Sequence, residues 1–432
     1  MEGHKAIEWI HSTRKLGSKL GLGNVTELAR RMGEPHKRFR SVHVAGTNGK
    51  GSVCAMLYTV LRAAGYATGL FTSPYLVDFR ERIQADGALI PNDDLGRIAQ
   101  RVKTTVDGML ADGWEHPTEY EIVAVAGFTY FAEQGLDTAV VEVGLGGRLD
   151  MTNIISPELC VITPISMDHM EYLGDTIEKI AHEKAGIIKE GIPVVSAPQE
   201  PEAAQVLRDT AAEKSAPIRF VNKEDVRIEK SSLSGQVLDF RTGGQWHTGY
   251  TLPLVGPHQA INALTAVTAV EQLREKGYAI SDEALRTGLD RVRWPGRIEI
   301  AGMNPRMVLD GAHNPAGALA LREALTPYMG EKPAVLVMGM MDDKDAERVT
   351  EILALMADRA VVTPVDNPRS MDPVKLARIL EKHMPVMIAD DARQAVSAGT
   401  RLAGSDKMVL VTGSLYLIGE IKRTWGHEVY VP

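Results

Sequence analysis

A lysine and a serine open an apolar helical pattern directly behind a glycine turn, in VHVAGTNGKGSVC, residues 42–54. A strand, a glycine turn and a helix N-terminus together present several backbone N–H groups to an anion, and the helix dipole adds to the attraction. In that arrangement Lys50 meets the β- and γ-phosphates of a nucleotide, and Ser52 offers its hydroxyl to Mg2+. The spelling departs from the usual phosphate loop, G-x-x-x-x-G-K-[ST]. Val44 stands where the first glycine belongs, and Gly51 separates Lys50 from Ser52. A tight strand-to-helix turn with no ligand is the plainer alternative.

Other segments add polar groups of the same kind. Glu142 lies inside the apolar run TAVVEVG, where a carboxylate is costly unless a cation or hydrogen bonds compensate it. It reads either as a Mg2+ ligand or as half of a structural salt bridge with Arg148. Asp168 and His169, in ITPISMDHMEYLG, end another strand-like run, where open α/β sheets place ligands. Alone, such a histidine is more often simply hydrogen-bonded. Beside Glu142 and Ser73 (in FTSPYL) it makes an oxygen-rich set with one imidazole, which suits Mg2+ or Mn2+.

These residues need elements to hold them. At 432 residues the chain exceeds what one hydrophobic core usually supports, which predicts two domains. The runs SVHVAG, TAVVEVG, LCVITPI and PVVSA alternate with helical patterns such as DDLGRIAQRVKTTVDGML and TEYEIVAVAGFTYFAEQG. That alternation predicts a mostly parallel sheet covered on both faces. Residues 216–254 break the rhythm: PIRFV, VRIE, QVLDFRT and HTGYTLPL read as short antiparallel strands. The helical stretch HQAINALTAVTAVEQLREKG follows, and Pro295-Gly296 marks a linker. Beyond it RMVLDGA, PAVLVMGM, RAVVTPV, PVMIAD and KMVLVTG restart the alternation. The expected fold class is α/β. An N-terminal P-loop ATPase domain (residues 1–294) with a small antiparallel excursion is followed by a linker at 295–298 and a smaller Rossmann-like domain at 299–432.

Composition narrows the partners. A net charge of -8 argues against nucleic acid, which wants a basic face. Cys54 and Cys160 fall in apolar surroundings and suit a reducing compartment. MEGHKAIEWIHSTRKLG has no apolar core of signal-peptide length, and no run approaches a membrane span. A cytoplasmic protein with no membrane partner is expected.

AGTNGKGS, SPYLVDFRERI, PTEYE, EVGLGGRLDMTN, ITPISMDHMEYLGDTIEKIAHEKAGIIK, LDGAHNPAG and TGSLYL occur in this order. Together they resemble the folylpolyglutamate synthase/dihydrofolate synthase family, a branch of the ATP-dependent Mur-type amide ligases. The resemblance covers nearly the whole chain and includes the glycine inserted before the serine. It implies ATP binding by Gly49, Lys50, Gly51, Ser52, Asn262, Arg297 and Asp310. It implies two Mg2+ sites held by Ser52, Ser73, Glu142, His169 and Lys184, with Lys184 carbamylated. Carbamylation needs a neutral amine, so an ordinary lysine pKa of about 10.4 has to be lowered. His313 and Ser414 fall on the incoming-glutamate side.

For the pterin, the resemblance implies Gly23, Asn24, Val25, Thr118, Glu119, Tyr120, Glu121, Leu149, Asp150 and Met151. There Asp150 would accept from the pterin's amino edge and Tyr120 would offer a stacking face. Many relatives carry Phe in place of Tyr120 and Ala in place of Met151, and the larger Met151 would narrow the pocket. The implied reaction joins L-glutamate to dihydropteroate or a reduced folate through an acyl phosphate. Lys50, Glu142, His169, Lys184 and His313 would carry the chemistry, in a monomer. Which of the two acceptors is used stays open, because no short motif separates them. Two rivals are another Mur-type amino-acid ligase and a regulatory GTPase, the latter for Asn222-Lys223-x-Asp225.

Overall fold

The structure, a computed structural model, describes residues 1–16, 21–329 and 333–425. The end of the expected second domain, residues 426–432, lies outside the described residues. The first sheet contains β1 (Arg40–Ala45), β2 (Thr68–Phe71), β3 (Ile83–Ala85), β4 (Ala88–Leu89), β5 (Thr138–Glu142), β6 (Leu159–Ile162), β7 (Val194–Ser196) and β8 (Ile218–Phe220). Their order is β4-β3-β2-β5-β1-β6-β7-β8. From β2 to β8 every pairing is parallel; β3 and β4 add an antiparallel edge. The central strands β5 and β6 are buried at every position, as strands covered on both faces must be.

On one face the helix Lys50–Ala63 is apolar all round and buried from Gly51 to Leu61, so it runs inside the protein rather than on it. The helices Pro257–Glu275 and Asp282–Arg291 cover it. On the other face lie Asn92–Ala111 and Glu119–Gln134, with the N-terminal helices Gly3–Ser12 and Gly23–Arg31.

One expected strand joins a different sheet. PIRFV, read as antiparallel, supplies β8, which pairs parallel to β7 through Val194↔Ile218. The intervening helix Pro201–Glu213 makes this a crossover unit, and such a unit returns the chain parallel. The true antiparallel sheet is β9 (Val226–Ser232), β10 (Gly235–Thr242) and β11 (Gln245–Leu252). Gly243 and Gly244, both at positive φ, form the two-residue turn between β10 and β11.

The third sheet holds β12 (Glu299–Met303), β13 (Arg306–Leu309), β14 (Ala334–Met338), β15 (Ala357–Val362), β16 (Val386–Ile388) and β17 (Val409–Thr412). Its order is β12-β13-β17-β14-β15-β16, parallel except for the β12–β13 edge. The architecture is therefore α/β with mostly parallel sheets. Neighbouring strands β2, β5, β1 and β6 bring Ser73, Glu142, the 46–49 turn and Asp168-His169 to one sheet edge, the crevice at the carboxyl ends of the strands. Among the described residues no helix is long and apolar enough to cross a membrane.

Candidate active site

The 46–49 turn joins β1 to the buried helix. Gly49 caps that helix at φ 89, and a Cβ there would lie 2.4 Å from Oδ1 of Asn262. Only glycine serves. Gly51 is different: its backbone is ordinary helix, but a Cβ would lie 2.7 Å from Nε1 of Trp294. A glycine inside a helix costs about 1 kcal/mol relative to alanine, so a packing reason for it is informative. Ser52 is buried and accepts from Gln259 Nε2 at 3.3 Å; Gln259 in turn accepts from Asn262 at 3.0 Å. Lys50 folds back on the turn, donating to the Gly46 and Thr47 carbonyls at 3.2 and 3.1 Å.

Glu142 closes β5, opposite Val44 of β1. Its Oε2 accepts the Ser73 N–H at 3.0 Å. Burial pushes its carboxyl up from the ordinary value, with Lys50 and the Ser73 N–H opposing. The alternative partner is excluded, because Arg148 pairs with Glu183 at 2.7 Å. Ser52, Ser73 and Glu142 all face one cleft of about 940 Å3. Two hydroxyls and one carboxylate form a hard oxygen set that fits Mg2+, which normally completes its shell with water and substrate phosphates.

Lys184 is buried at the end of the helix Ile177–Ala185 and donates to the Gly46 carbonyl at 2.8 Å. Burial, with Lys50 nearby, lowers its pKa to about 7. His169 adopts a left-handed backbone (φ 51), an uncommon conformation that the Asp168 side chain braces by accepting the His169 N–H at 2.8 Å. Burial lowers the His169 pKa to about 4 despite Asp168. Its Nε2 faces the Lys344 ammonium at 3.2 Å. Among the described residues no three His, Cys, Asp or Glu side chains converge as a metal cluster. Two carboxylates stand near the His169 ring, Asp168 at 4.0 Å and Asp343 at 3.9 Å, and a cation at Nε2 would have to displace the Lys344 ammonium.

Asp168 ties the two sides of the cleft together. It accepts from Lys344 at 2.7 Å and from Asn314 at 2.9 Å, and His313 Nε2 lies 3.5 Å away. Burial alone would raise its carboxyl, but His313, His169 and Lys344 outweigh that and hold it well below the carboxylate range. Asn48, in the glycine turn, exchanges two hydrogen bonds with Asn314, both 3.1 Å.

From the third sheet, Asp310 accepts the N–H groups of Ile298 and Ala312 at 2.9 and 2.8 Å. Burial raises its carboxyl, and Arg297 opposes. His313 is oriented by its 2.8 Å bond to the Gly311 carbonyl. The cleft thus gathers Gly49, Lys50, Gly51, Ser52, Ser73, Glu142, His169, Lys184, Asn262, Arg297, Asp310 and His313. It does not include Ser414, whose hydroxyl caps the helix Leu415–Thr424 by accepting the Tyr416 N–H; the adjacent Leu415 lines the cleft instead.

None of the residues expected around a pterin lines this cleft. Thr118 and Glu121 form a reciprocal capping box for the helix Glu119–Gln134. Glu119 pairs with His11 and Arg14 at 3.0 and 2.8 Å. Tyr120 packs its ring on Gly144 and reaches Ser73 Oγ at 3.4 Å. Met151 is buried in the core cluster that includes Val25, Ile122 and Val125. Asp150 is buried and bound by its own chain. Its carboxylate accepts from the N–H groups of Gly144, Leu145 and Thr152 and from the Thr152 hydroxyl, so its acceptor sites are filled from within the chain.

The sequence matches the Mur ligase middle domain over residues 44–270 and the Mur ligase glutamate ligase domain over residues 296–415. The dihydrofolate synthase/folylpolyglutamate synthase of Bacillus subtilis is 39% identical over 424 residues, 97% of this chain and 98% of the relative. The chain belongs to the folylpolyglutamate synthase/dihydrofolate synthase family of Mur ligases. Among solved structures, Mycobacterium tuberculosis folylpolyglutamate synthase complexed with ADP and AMPPCP matches at a TM-score of 0.92 and 31% identity, over 99% of this chain and 100% of that one. E. coli FolC in complex with DHPP and ADP matches at 0.86 and 30% identity, over 98% of this chain and 97% of that one.

Family membership disposes of the GTPase rival, and the side chains agree. Asn222 caps a short helix by accepting the Glu224 N–H, and Asp225 pairs with Arg241 at 2.6 Å. Sequence reasoning missed Asn48, Asn314, Lys344, Gln259 and Trp294. The MDDKD spelling around Lys344 was a visible signal: a lysine among three aspartates after the strand PAVLVMGM.

Proposed function

We propose that this chain uses ATP to join the amino group of L-glutamate to the carboxylate of dihydropteroate or a reduced folate, with an acyl phosphate between. The observation that carries the reading is the cleft itself, in which Lys50, Glu142 and Lys184 face Arg297, Asp310 and His313 across the two units. The names of the relatives from Bacillus subtilis and Mycobacterium tuberculosis support the substrates. In this reading residues 1–294 are the P-loop ATPase domain and 299–432 the Rossmann-like domain, joined at 295–298.

The acceptor carboxylate oxygen attacks the γ-phosphorus of ATP, and ADP leaves. The N–H groups of the turn and the Lys50 ammonium hold the transferring phosphoryl group as charge spreads over its oxygens. Lys50 has to release the Gly46 and Thr47 carbonyls to do so. The glutamate nitrogen then attacks the acyl carbon, its proton passes to solvent or a nearby base, and inorganic phosphate departs. Asp310 holds the Ile298 and Ala312 N–H groups, and in this reading His313 serves the incoming glutamate.

Mg2+ at Ser52, Ser73 and Glu142 would supply charge neutralisation between the phosphates. Lys184, as a neutral amine, would add to the carbon of CO2 and release a proton, and the resulting carbamate would offer oxygen ligands in the cleft that His169 also lines. Closing the cleft excludes water that would hydrolyse the acyl phosphate.

The test is phosphate release from Mg-ATP with each acceptor, with and without glutamate, with products weighed by mass spectrometry. The reading requires glutamate-dependent release and an acceptor heavier by one glutamyl residue. Release that ignores both glutamate and acceptor would overturn it.

A further inference from the structure

Trp294 rests on the first turn of the phosphate-loop helix. A Cβ on Gly51 would lie 2.7 Å from its Nε1, 2.8 Å from Cζ2 and 2.9 Å from Cε2. The backbone at Gly51 does not demand glycine, since its φ is not positive. What a side chain there would meet first is the indole. Trp294 also lines a cavity of about 60 Å3 together with Ser73, Glu142 and Arg297.

The chain that follows is fastened to the third-sheet unit. Gly311 donates to the Gly296 carbonyl at 2.9 Å, and Ile298 donates to Asp310 at 2.9 Å. Gly296 donates to Glu299 at 2.9 Å, and Glu299 pairs with Lys422. Any rotation of that unit therefore pulls on residues 294–298. Trp294, just before that fastened stretch, meets the helix that carries Lys50 and Ser52 at Gly51.

We propose that Trp294 is a positioning residue that couples closure of the two units to the grip on the nucleotide phosphates, acting through Gly51. The proposal rests on the nucleotide-binding reading above. Gly51 is then the socket for the indole, which gives a physical reason for the glycine inserted between Lys50 and Ser52. Trp294 touches no reacting atom; it sets where the first helical turn lies.

Calorimetry with Mg2+ and a non-hydrolysable ATP analogue, on the unchanged protein, Gly51→Ala, Trp294→Leu and the double variant, tests the coupling. Gly51→Ala should weaken binding about tenfold, Trp294→Leu a few-fold, and the double variant should bind about threefold tighter than Gly51→Ala alone, since neighbours that share a contact are not additive. Affinity losses that multiply, an unchanged affinity in Gly51→Ala, or a Trp294→Leu variant that loses only melting temperature would each overturn the coupling. If Gly51→Ala does not fold, tryptophan emission decides. The difference between unchanged protein and Trp294→Phe should shift when the analogue is added, and no shift overturns the proposal. Failure of the unchanged protein to bind the analogue would sink the nucleotide reading as well, whereas additivity in a protein that binds sinks the coupling alone.

Discussion

Lys50 and Lys184, from helices on different parts of the chain, donate to the same carbonyl oxygen, that of Gly46, at 3.2 and 2.8 Å. Two ammonium groups around one oxygen in a buried site repel each other. Burial and that repulsion fall on Lys184, whose pKa drops to about 7, so near neutral pH much of it is a free amine. Lys184→Met should therefore lower turnover by about 100-fold or more while leaving the nucleotide bound, because it removes a group placed for the reacting charge. Comparison of kcat with analogue affinity checks this. Added acetate should restore part of the activity to Lys184→Ala by standing in for the carbamate.

The same shift fixes a pH dependence. Below a pKa of about 7 Lys184 is an ammonium and cannot add CO2. Its neutral fraction falls about tenfold for each further pH unit. Activity limited by the carbamate should thus fall as pH drops from about 8 to about 6, and bicarbonate should raise it most at the acid end. A profile flat across that window, with no response to bicarbonate, would contradict the role of Lys184.

Glu142→Gln keeps the shape and the acceptor for the Ser73 N–H but removes the charge. Because burial already disfavours the carboxylate, the folded protein should lose little stability. Turnover should fall by about 100-fold or more, and Mn2+ bound in the presence of nucleotide should loosen, as read by electron paramagnetic resonance.

Asp168 and Lys344 form an ion pair 2.7 Å long with both side chains more than nine-tenths buried. Removing one partner of such a pair strands the other, at a cost of about 3–5 kcal/mol. Lys344→Met should show that loss in urea unfolding, and Asp168→Asn added to it should recover part. The pair joins the two units, so small-angle scattering should also find Lys344→Met more open, with a raised KM for glutamate.

What could be read from the sequence was what is local. The turn and helix around Lys50, the buried carboxylate Glu142 and the αβ alternation all leave periodic or compositional traces. PIRFV misled because a short apolar strand followed by glycine turns looks the same in either sheet; the crossover helix Pro201–Glu213 decides its direction. For Asp150 and Ser414 the sequence leaves the local hydrogen bonds unseen. Each is a polar residue at a loop end, and only the fold shows which neighbouring N–H groups its oxygens accept. The Asn48–Asn314 and Asp168–Lys344 contacts join residues far apart in the chain, with no pattern to pair them. Gly51 was visible as an oddity, but its reason, Trp294, became legible only once the linker was placed.

The most direct test of ATP-driven ligation follows an atom. The acceptor, dihydropteroate or a reduced folate, is given heavy oxygen in its carboxylate and incubated with Mg-ATP and L-glutamate. Passage through an acyl phosphate predicts one heavy oxygen in each inorganic phosphate released, with one glutamyl residue gained by the acceptor. Phosphate without label, released at the same rate when glutamate is omitted, would contradict the account.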